Sequence, residues 1–271
     1  MDTVKSEILK VNHLAVSFVQ YERGLRRREI HPIRDLSLTV RTGELTAVVG
    51  ASGSGKSLLA HAVMGLLPYN CISSGEISYN GELLTEEKLK SYRGNEIALV
   101  PQGVSYLDPL MRVGDQIKKG KKDRETAEKC RKLLERYGLG RETEELYPFE
   151  LSGGMARRVL ISAALLDNPR LIIADEPTPG LDLKTARRVM GHLQEIAAAG
   201  AGVLLITHDL ELALETADRI LVFYEGKVIE EVLPEDFERE ETLKHPYTKA
   251  LRRAMPRHGF CVWDRKGEEE P

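Results

Sequence analysis

The chain has 271 residues, 42% of them apolar and 30% charged, with a net charge of −3. This length suits one large domain or two small ones around a sizeable core, in proportions ordinary for a soluble globular protein. No apolar run reaches bilayer-crossing length, no secretory signal is expected ahead of the first strand, and the slight acidity gives nucleic-acid binding no support.

Residues 7–18 alternate apolar and polar positions, and residues 34–49 resume that texture, which predicts a small antiparallel region. The apolar run Leu45 to Val49 reads as a buried strand and Leu58 to Leu67 as a helix. Between them stands Gly50-Ala51-Ser52-Gly53-Ser54-Gly55-Lys56-Ser57, which fits the phosphate-binding pattern G-x-x-x-x-G-K-[ST] at every fixed position. A strand–loop–helix of this kind aims successive backbone N–H groups at one anion and adds the positive end of the helix. Lys56 is expected to reach the outer phosphates of a nucleoside triphosphate and Ser57 to ligate Mg²⁺.

Ile97 to Val100 predicts another buried strand, stopped by Pro101 and followed by Gln102. Residues 123–138 have helical spacing, with Ala127, Cys130, Leu133, Leu134 and Tyr137 on one face. Ser152 reads as a helix N-cap in Leu151-Ser152-Gly153-Gly154-Met155, giving a second helix start suited to an anion. Leu171 to Ala174 and Val203 to Ile206 are solid apolar runs, as in a parallel sheet covered on both faces. Asp175 and Glu176 follow the first, and Thr207-His208-Asp209 follows the second. Ligands of such sheets bind beyond the carboxyl ends of the strands. Asp175 is therefore expected to hold Mg²⁺, Glu176 to act as general base on a water, and His208 to hydrogen-bond the γ-phosphate or orient the attacking water. Helices are predicted over 181–198 and 210–216. Ile220 to Tyr224 and Lys227 to Val232 form a closing hairpin turned at Glu225-Gly226. The pattern is α/β, with a helix-rich insert near 103–165.

Arg26-Arg27-Arg28 and the cluster from Lys118 to Lys122 are read as solvated loops. Cys71, Cys130 and Cys261 are isolated, which predicts neither a disulfide framework nor a metal knuckle. Residues 266–271 are expected to fray.

Taken together, these motifs resemble the nucleotide-binding subunit of an ATP-binding cassette (ABC) transporter over residues 7–256. The resemblance implies a P-loop NTPase cassette: a RecA-like, mostly parallel sheet, an N-terminal antiparallel β subdomain and an inserted helical subdomain. It implies ATP and Mg²⁺ as ligands. It implies that Phe18, with Tyr21 as the substitute, stacks on adenine, and that Gln102 senses Mg²⁺ and touches the membrane subunits. Asp182, in Pro179-Gly180-Leu181-Asp182, matches the aspartate loop that crosses the dimer interface. Ser152, Gly153 and Gly154 match the signature that caps the partner's nucleotide. Met155 stands where many relatives have glutamine, and Pro179-Gly180 replaces serine-alanine.

Further stretches are similar to the oligopeptide/dipeptide/nickel importer branch: Tyr147-Pro148-Phe149-Glu150, Leu107-Asp108-Pro109 with Val113-Gly114-Asp115-Gln116, and His245-Pro246-Tyr247-Thr248 with a helix from Lys249 to Met255 before Pro256. The Tyr147–Glu150 wording and the short extension over 233–271 resemble the nickel subunits most. With Cys261 alone in the tail, no iron–sulfur cluster is expected. The branch implies a peripheral subunit on the cytoplasmic face of the membrane. Its implied partners are a homologous second ATPase (heterodimer, or homodimer), two permeases and an external solute-binding protein, with no nucleic acid. A soluble P-loop kinase, a cassette working on DNA or ribosomes and an export cassette are the rival readings.

Overall fold

A computed structural model describes residues 5–21 and 27–255 of the chain. Arg26, the side chains of Tyr21 and Arg27, Pro256, Cys261 and the rest of the tail lie outside the described residues. β1 (Glu7–Tyr21) and β2 (Arg27–Arg41) form a long antiparallel pair, with Phe18 opposite Ile30. β3 (Glu44–Val49) then leads into α1 (Lys56–Val63). β4 (Cys71–Tyr79) and the short β5 (Glu82–Leu83) extend the antiparallel edge, followed by α2 (Glu86–Tyr92) and β6 (Ile97–Val100). The next stretch is helical: α3 (Val113–Ile117), α4 (Arg124–Arg136) and α5 (Gly153–Leu165). The chain then alternates β7 (Leu171–Asp175), α6 (Leu183–Ala198), β8 (Gly202–Thr207) and α7 (Leu210–Thr216). The hairpin β9 (Arg219–Tyr224) and β10 (Lys227–Val232) and the helix α8 (Pro246–Arg253) complete the described chain.

The strands form one ten-stranded sheet in the order β5-β4-β1-β2-β10-β9-β3-β8-β7-β6. From β9 to β6 every pairing is parallel. β2 meets β10 at one parallel register pair, Lys227 with Asp35, and β10 pairs antiparallel with β9. Alternation along the strands explains why both faces are apolar. On β7, Leu171 and Ile173 enter one core with α1, while Ile172 and Ala174 enter the other with α6. Parallel strands covered on both faces must be apolar throughout, and β3, β7 and β8 are buried along their full length.

A third apolar cluster is built wholly of residues between Leu107 and Leu166, including Val113, Ile117, Cys130, Leu134 and Val159. α5 also sends Ile161 and Leu165 into the second core. This helix is therefore the packed joint between the helical stretch and the sheet.

Several expectations need correction. β4 and α2 carry no strong sequence signal. β4 is polar and exposed over Ile72 to Glu76, and its strand form comes from pairing with the free edge of β1, as in Val11 with Ile77. β2 begins well before residue 34, in a stretch that includes His31 and Pro32. α1 ends at Val63, short of Leu67. The lysine cluster is not simply solvated: Lys119 and Lys121 bind the Asp167 carboxylate at 2.8 and 2.7 Å, and Lys118 reaches Glu144 at 3.3 Å. The two Asp167 pairs fasten the stretch after α3 to the end of α5, and the Lys118 pair ties it to the turn at 141–145, which one-dimensional spacing does not reveal.

Candidate nucleotide site at the strand ends

The loop between β3 and α1 is shaped by its glycines. A Cβ on Gly50 would lie 2.3 Å from the Phe223 carbonyl oxygen, so only glycine lets the loop pass β9. Gly53 and Gly55 have φ of 73° and 103°, with Ser54 between them. Such alternation of hand turns successive N–H groups inward into an anion-binding nest. Gly55 is also the N-cap of α1 and supplies no side-chain cap, so the N–H groups of Lys56 and Ser57 remain available to a phosphate. Lys56 is buried, and its Nζ donates to the carbonyls of Gly50 and Ala51 at 2.8 Å each. Burial lowers its pKa, against the opposing pull of Glu176 and Asp175.

The ends of β7 and β8 converge on this loop. Ser57 Oγ donates to Asp175 Oδ1 at 3.1 Å. Asp175 is almost fully buried, and burial pushes its pKa up against the Ser57 hydrogen bond. A hydroxyl beside a buried carboxylate is the hard-oxygen donor pair that Mg²⁺ takes, and the cation would relieve the cost of burying that charge. The donor set and the nest together fit a Mg²⁺-bound triphosphate.

Glu176 is the next residue, and the fold over-determines it. Its φ is 47°, a left-handed value rare outside glycine, with Pro177 directly after it. Its N–H donates to the Ile206 carbonyl at 2.9 Å. Its carboxylate accepts from the His208 N–H at 3.0 Å and from Thr207 Oγ1 at 3.3 Å, and it lies 2.7 Å from His208 Nδ1. The Glu176 side chain is 7% exposed and that of His208 is 52% exposed, so the histidine covers the carboxylate on its solvent side. Lys56, Ser57, Asp175, Glu176 and His208 thus form one cluster.

The remaining expected residues stand apart from it. Ser52 is exposed within the loop, and Gln102 is exposed at the end of β6. Phe18 is partly buried against the first core, across the ladder from Ile30. Pro32, two residues further along β2, is what a Cβ on Gly55 would meet at 3.0 Å, so this lobe adjoins the loop. Ser152 caps α5 by accepting from the Met155 N–H at 3.3 Å. Ser152 and Gly153 are exposed and Gly154 is half-buried. Asp182 caps α6, accepting from the N–H and hydroxyl of Thr185 at 2.9 and 2.6 Å.

Three further residues meet the site in ways the sequence does not indicate. Thr207 braces Glu176. Arg157 reaches from α5 to the Glu176 carbonyl at 2.9 Å. Tyr247, on α8, stacks on Tyr224 with ring centres 4.1 Å apart and accepts from the Ala51 N–H at 3.2 Å. A distant C-terminal helix therefore touches the first turn of the phosphate loop.

Residues 33–179 match the ABC transporter family pattern. The chain is 36% identical over 263 residues to the oligopeptide transport ATP-binding protein OppD of Salmonella typhimurium, covering 92% of this chain and 76% of that protein. It is 35% identical over 280 residues to OppD of Bacillus subtilis, covering 98% of this chain and 75% of that one. Among solved structures it is similar to the cassette MJ0796, described as a dimeric post-hydrolysis state bound to ADP and Pi. That similarity has a TM-score of 0.71 and 26% identity over 84% of this chain and 99% of that one.

Proposed function

The chain belongs to the ABC transporter family as an ATP-hydrolysing subunit of the peptide-importer kind, and from this premise we propose that it powers the uptake of short peptides by closing and reopening on ATP with a second cassette. The observation that carries this reading is the convergence of Ser57, Asp175, Glu176 and His208 on the phosphate loop, with a separate exposed helix start at Ser152.

In this reading the nest and Lys56 hold the β- and γ-phosphates. Ser57 and Asp175, with Gln102 nearby, would hold Mg²⁺, which would supply positive charge to the phosphoryl oxygens. Glu176 takes a proton from a water as its oxygen bonds to the γ-phosphorus. The bond from that phosphorus to the bridging oxygen breaks, leaving ADP and inorganic phosphate. His208 orients the carboxylate, and Phe18 supports the adenine. Ser152, Gly153 and Gly154 cap the nucleotide of the partner subunit, with Asp182 near the same interface. The γ-phosphate biases the pair toward closure, and its loss releases them.

Among the described residues no helix is long and apolar enough to cross a membrane. The importer relatives support a peripheral place on the cytoplasmic face in this reading, with two permeases and a solute-binding protein supplied by other chains. The names of the relatives support peptide cargo. Nickel is the second reading, favoured by the Tyr147–Glu150 stretch. The test is ATP-driven uptake by the purified complex in proteoliposomes, offered short peptides and, separately, Ni²⁺ with and without a chelator. Peptide-dependent stimulation of ATP hydrolysis supports the first reading. Stimulation by nickel alone replaces it with the second, and hydrolysis unlinked to any uptake rejects both.

A further inference from the structure

Among the described residues, Arg157 is a buried cation with no carboxylate in hydrogen-bonding range. It lies in the second turn of α5, the helix that begins at Ser152. Its Nη1 donates to the backbone carbonyl of Glu176 at 2.9 Å and approaches that of Pro101 at 3.5 Å. Glu176 is the proposed base, and Pro101 precedes Gln102 on the loop after β6. One guanidinium thus joins the helix carrying the exposed Ser152 start to two of the strand-end loops that frame the phosphate site. Burying a guanidinium is costly unless something is gained from its exact position.

The backbone of Glu176 shows what is gained. A glutamate at φ of 47° ahead of a proline is strained, and such strain persists only where the surroundings hold it. Its N–H is held by the Ile206 carbonyl from β8. Its carbonyl is held by Arg157, from a different part of the fold. Asp175 and Glu176 also attract the guanidinium electrostatically, which offsets part of its desolvation.

We propose that Arg157 is a positioning residue for ATP hydrolysis. It fixes the strained backbone of Glu176 and ties that geometry to the orientation of α5, so that capping of the partner's nucleotide at Ser152 is felt at this subunit's own base. The proposal rests on Glu176 acting as the base. It requires Arg157 to affect turnover without affecting nucleotide binding, because its hydrogen bonds among the described residues go to Pro101 and Glu176 and not to the phosphate loop.

The experiment compares the assembled complex carrying wild-type chain, Glu176→Gln, Arg157→Met and Arg157→Lys. For each, ATP affinity, kcat and the thermal midpoint are measured. Arg157→Met removes every donor. It should lower kcat by about tenfold or more, since a misplacement on the order of 1 Å costs about a hundredfold, while the dissociation constant for ATP changes by less than about twofold. Arg157→Lys keeps the charge and one donor group, and should recover part of the lost kcat at the same affinity. Should Arg157→Met not fold, Arg157→Lys decides alone, with kcat reduced and affinity retained. Wild-type kcat in a folded Arg157→Lys together with wild-type kcat in Arg157→Met, or parallel loss of kcat and affinity, overturns the inference. Failure of Arg157→Lys to fold also overturns it, because Arg157 would then hold the domain and not the base. If Glu176→Gln turns over like wild type, the function reading itself has failed. Loss of activity in Glu176→Gln with full activity in both Arg157 variants removes the positioning role alone.

Discussion

Nδ1 of His208 lies 2.7 Å from Oε1 of Glu176, and the backbone N–H of the same histidine donates to that same oxygen at 3.0 Å. A single residue therefore grips the carboxylate twice, once through a group that mutation can remove and once through a group that it cannot. The strand end of β8 fixes the backbone grip, and the imidazole adds direction to it.

His208→Ala separates the two. The backbone hydrogen bond survives, and the ring contact is lost. A hydrogen bond to a charged group contributes about 1.5–3 kcal/mol, so kcat should fall by about ten- to a hundredfold. ATP affinity should stay close to wild type, because Lys56 and the nest are untouched. Steady-state hydrolysis alongside equilibrium ATP binding checks this. A fall in affinity equal to the fall in kcat would place His208 in ground-state binding.

Ser57→Ala removes one of the two oxygen groups facing the proposed cation. It also leaves the Asp175 carboxylate without its hydroxyl donor. Apparent Mg²⁺ affinity should weaken by about tenfold or more, as for the loss of groups that support a metal. The concentration of Mg²⁺ giving half-maximal hydrolysis measures it, and an unchanged value rules Ser57 out as a ligand.

Tyr247→Phe keeps the stacking on Tyr224 and deletes the acceptor of the Ala51 N–H. A hydrogen bond of this kind is worth about 0.5–1.5 kcal/mol, which sets the expected loss in ATP affinity at up to about tenfold. Calorimetric titration with ATP reads the shift. An affinity identical to wild type shows that α8 and the phosphate loop are neighbours without being coupled.

His192 gives the fold an acid limit of its own. Burial, with help from Arg136, lowers its pKa from 6.5 to about 4, and the Tyr137 hydroxyl meets its Nδ1. Between those two values the unfolded chain binds a proton that the folded chain refuses, so stability falls as pH drops from 6.5 towards 4 and levels off below. Thermal midpoints across this range should fall less steeply in His192→Gln than in wild type. Equal slopes would assign the acid limit to other groups.

Much of the site was legible because its signals are local. The residues from Gly50 to Ser57 dictate a nest by glycine placement alone, and Asp175, Glu176 and His208 each end an apolar run that can only be a buried parallel strand. Ser152 was legible as a cap because a short polar side chain ahead of two glycines has few other uses. What stayed hidden depends on contacts between distant parts of the chain. Nothing near Tyr247 in sequence points to Ala51, which lies 196 positions away. Arg157 stands next to Arg158, and only the packing of α5 on two cores shows which arginine is buried. β4 was missed because pairing, not composition, makes it a strand.

The central claim is that the ATP held by Lys56 is hydrolysed with Glu176 as the base, and single-turnover hydrolysis of γ-labelled ATP by the assembled complex tests it most directly. Replacing Glu176 by glutamine keeps shape and hydrogen bonding while removing basicity, so phosphate release should slow by about 10²- to 10⁴-fold, with ATP still bound after the wild-type complex has turned over. Phosphate release at the wild-type rate from the Glu176→Gln complex would contradict the account.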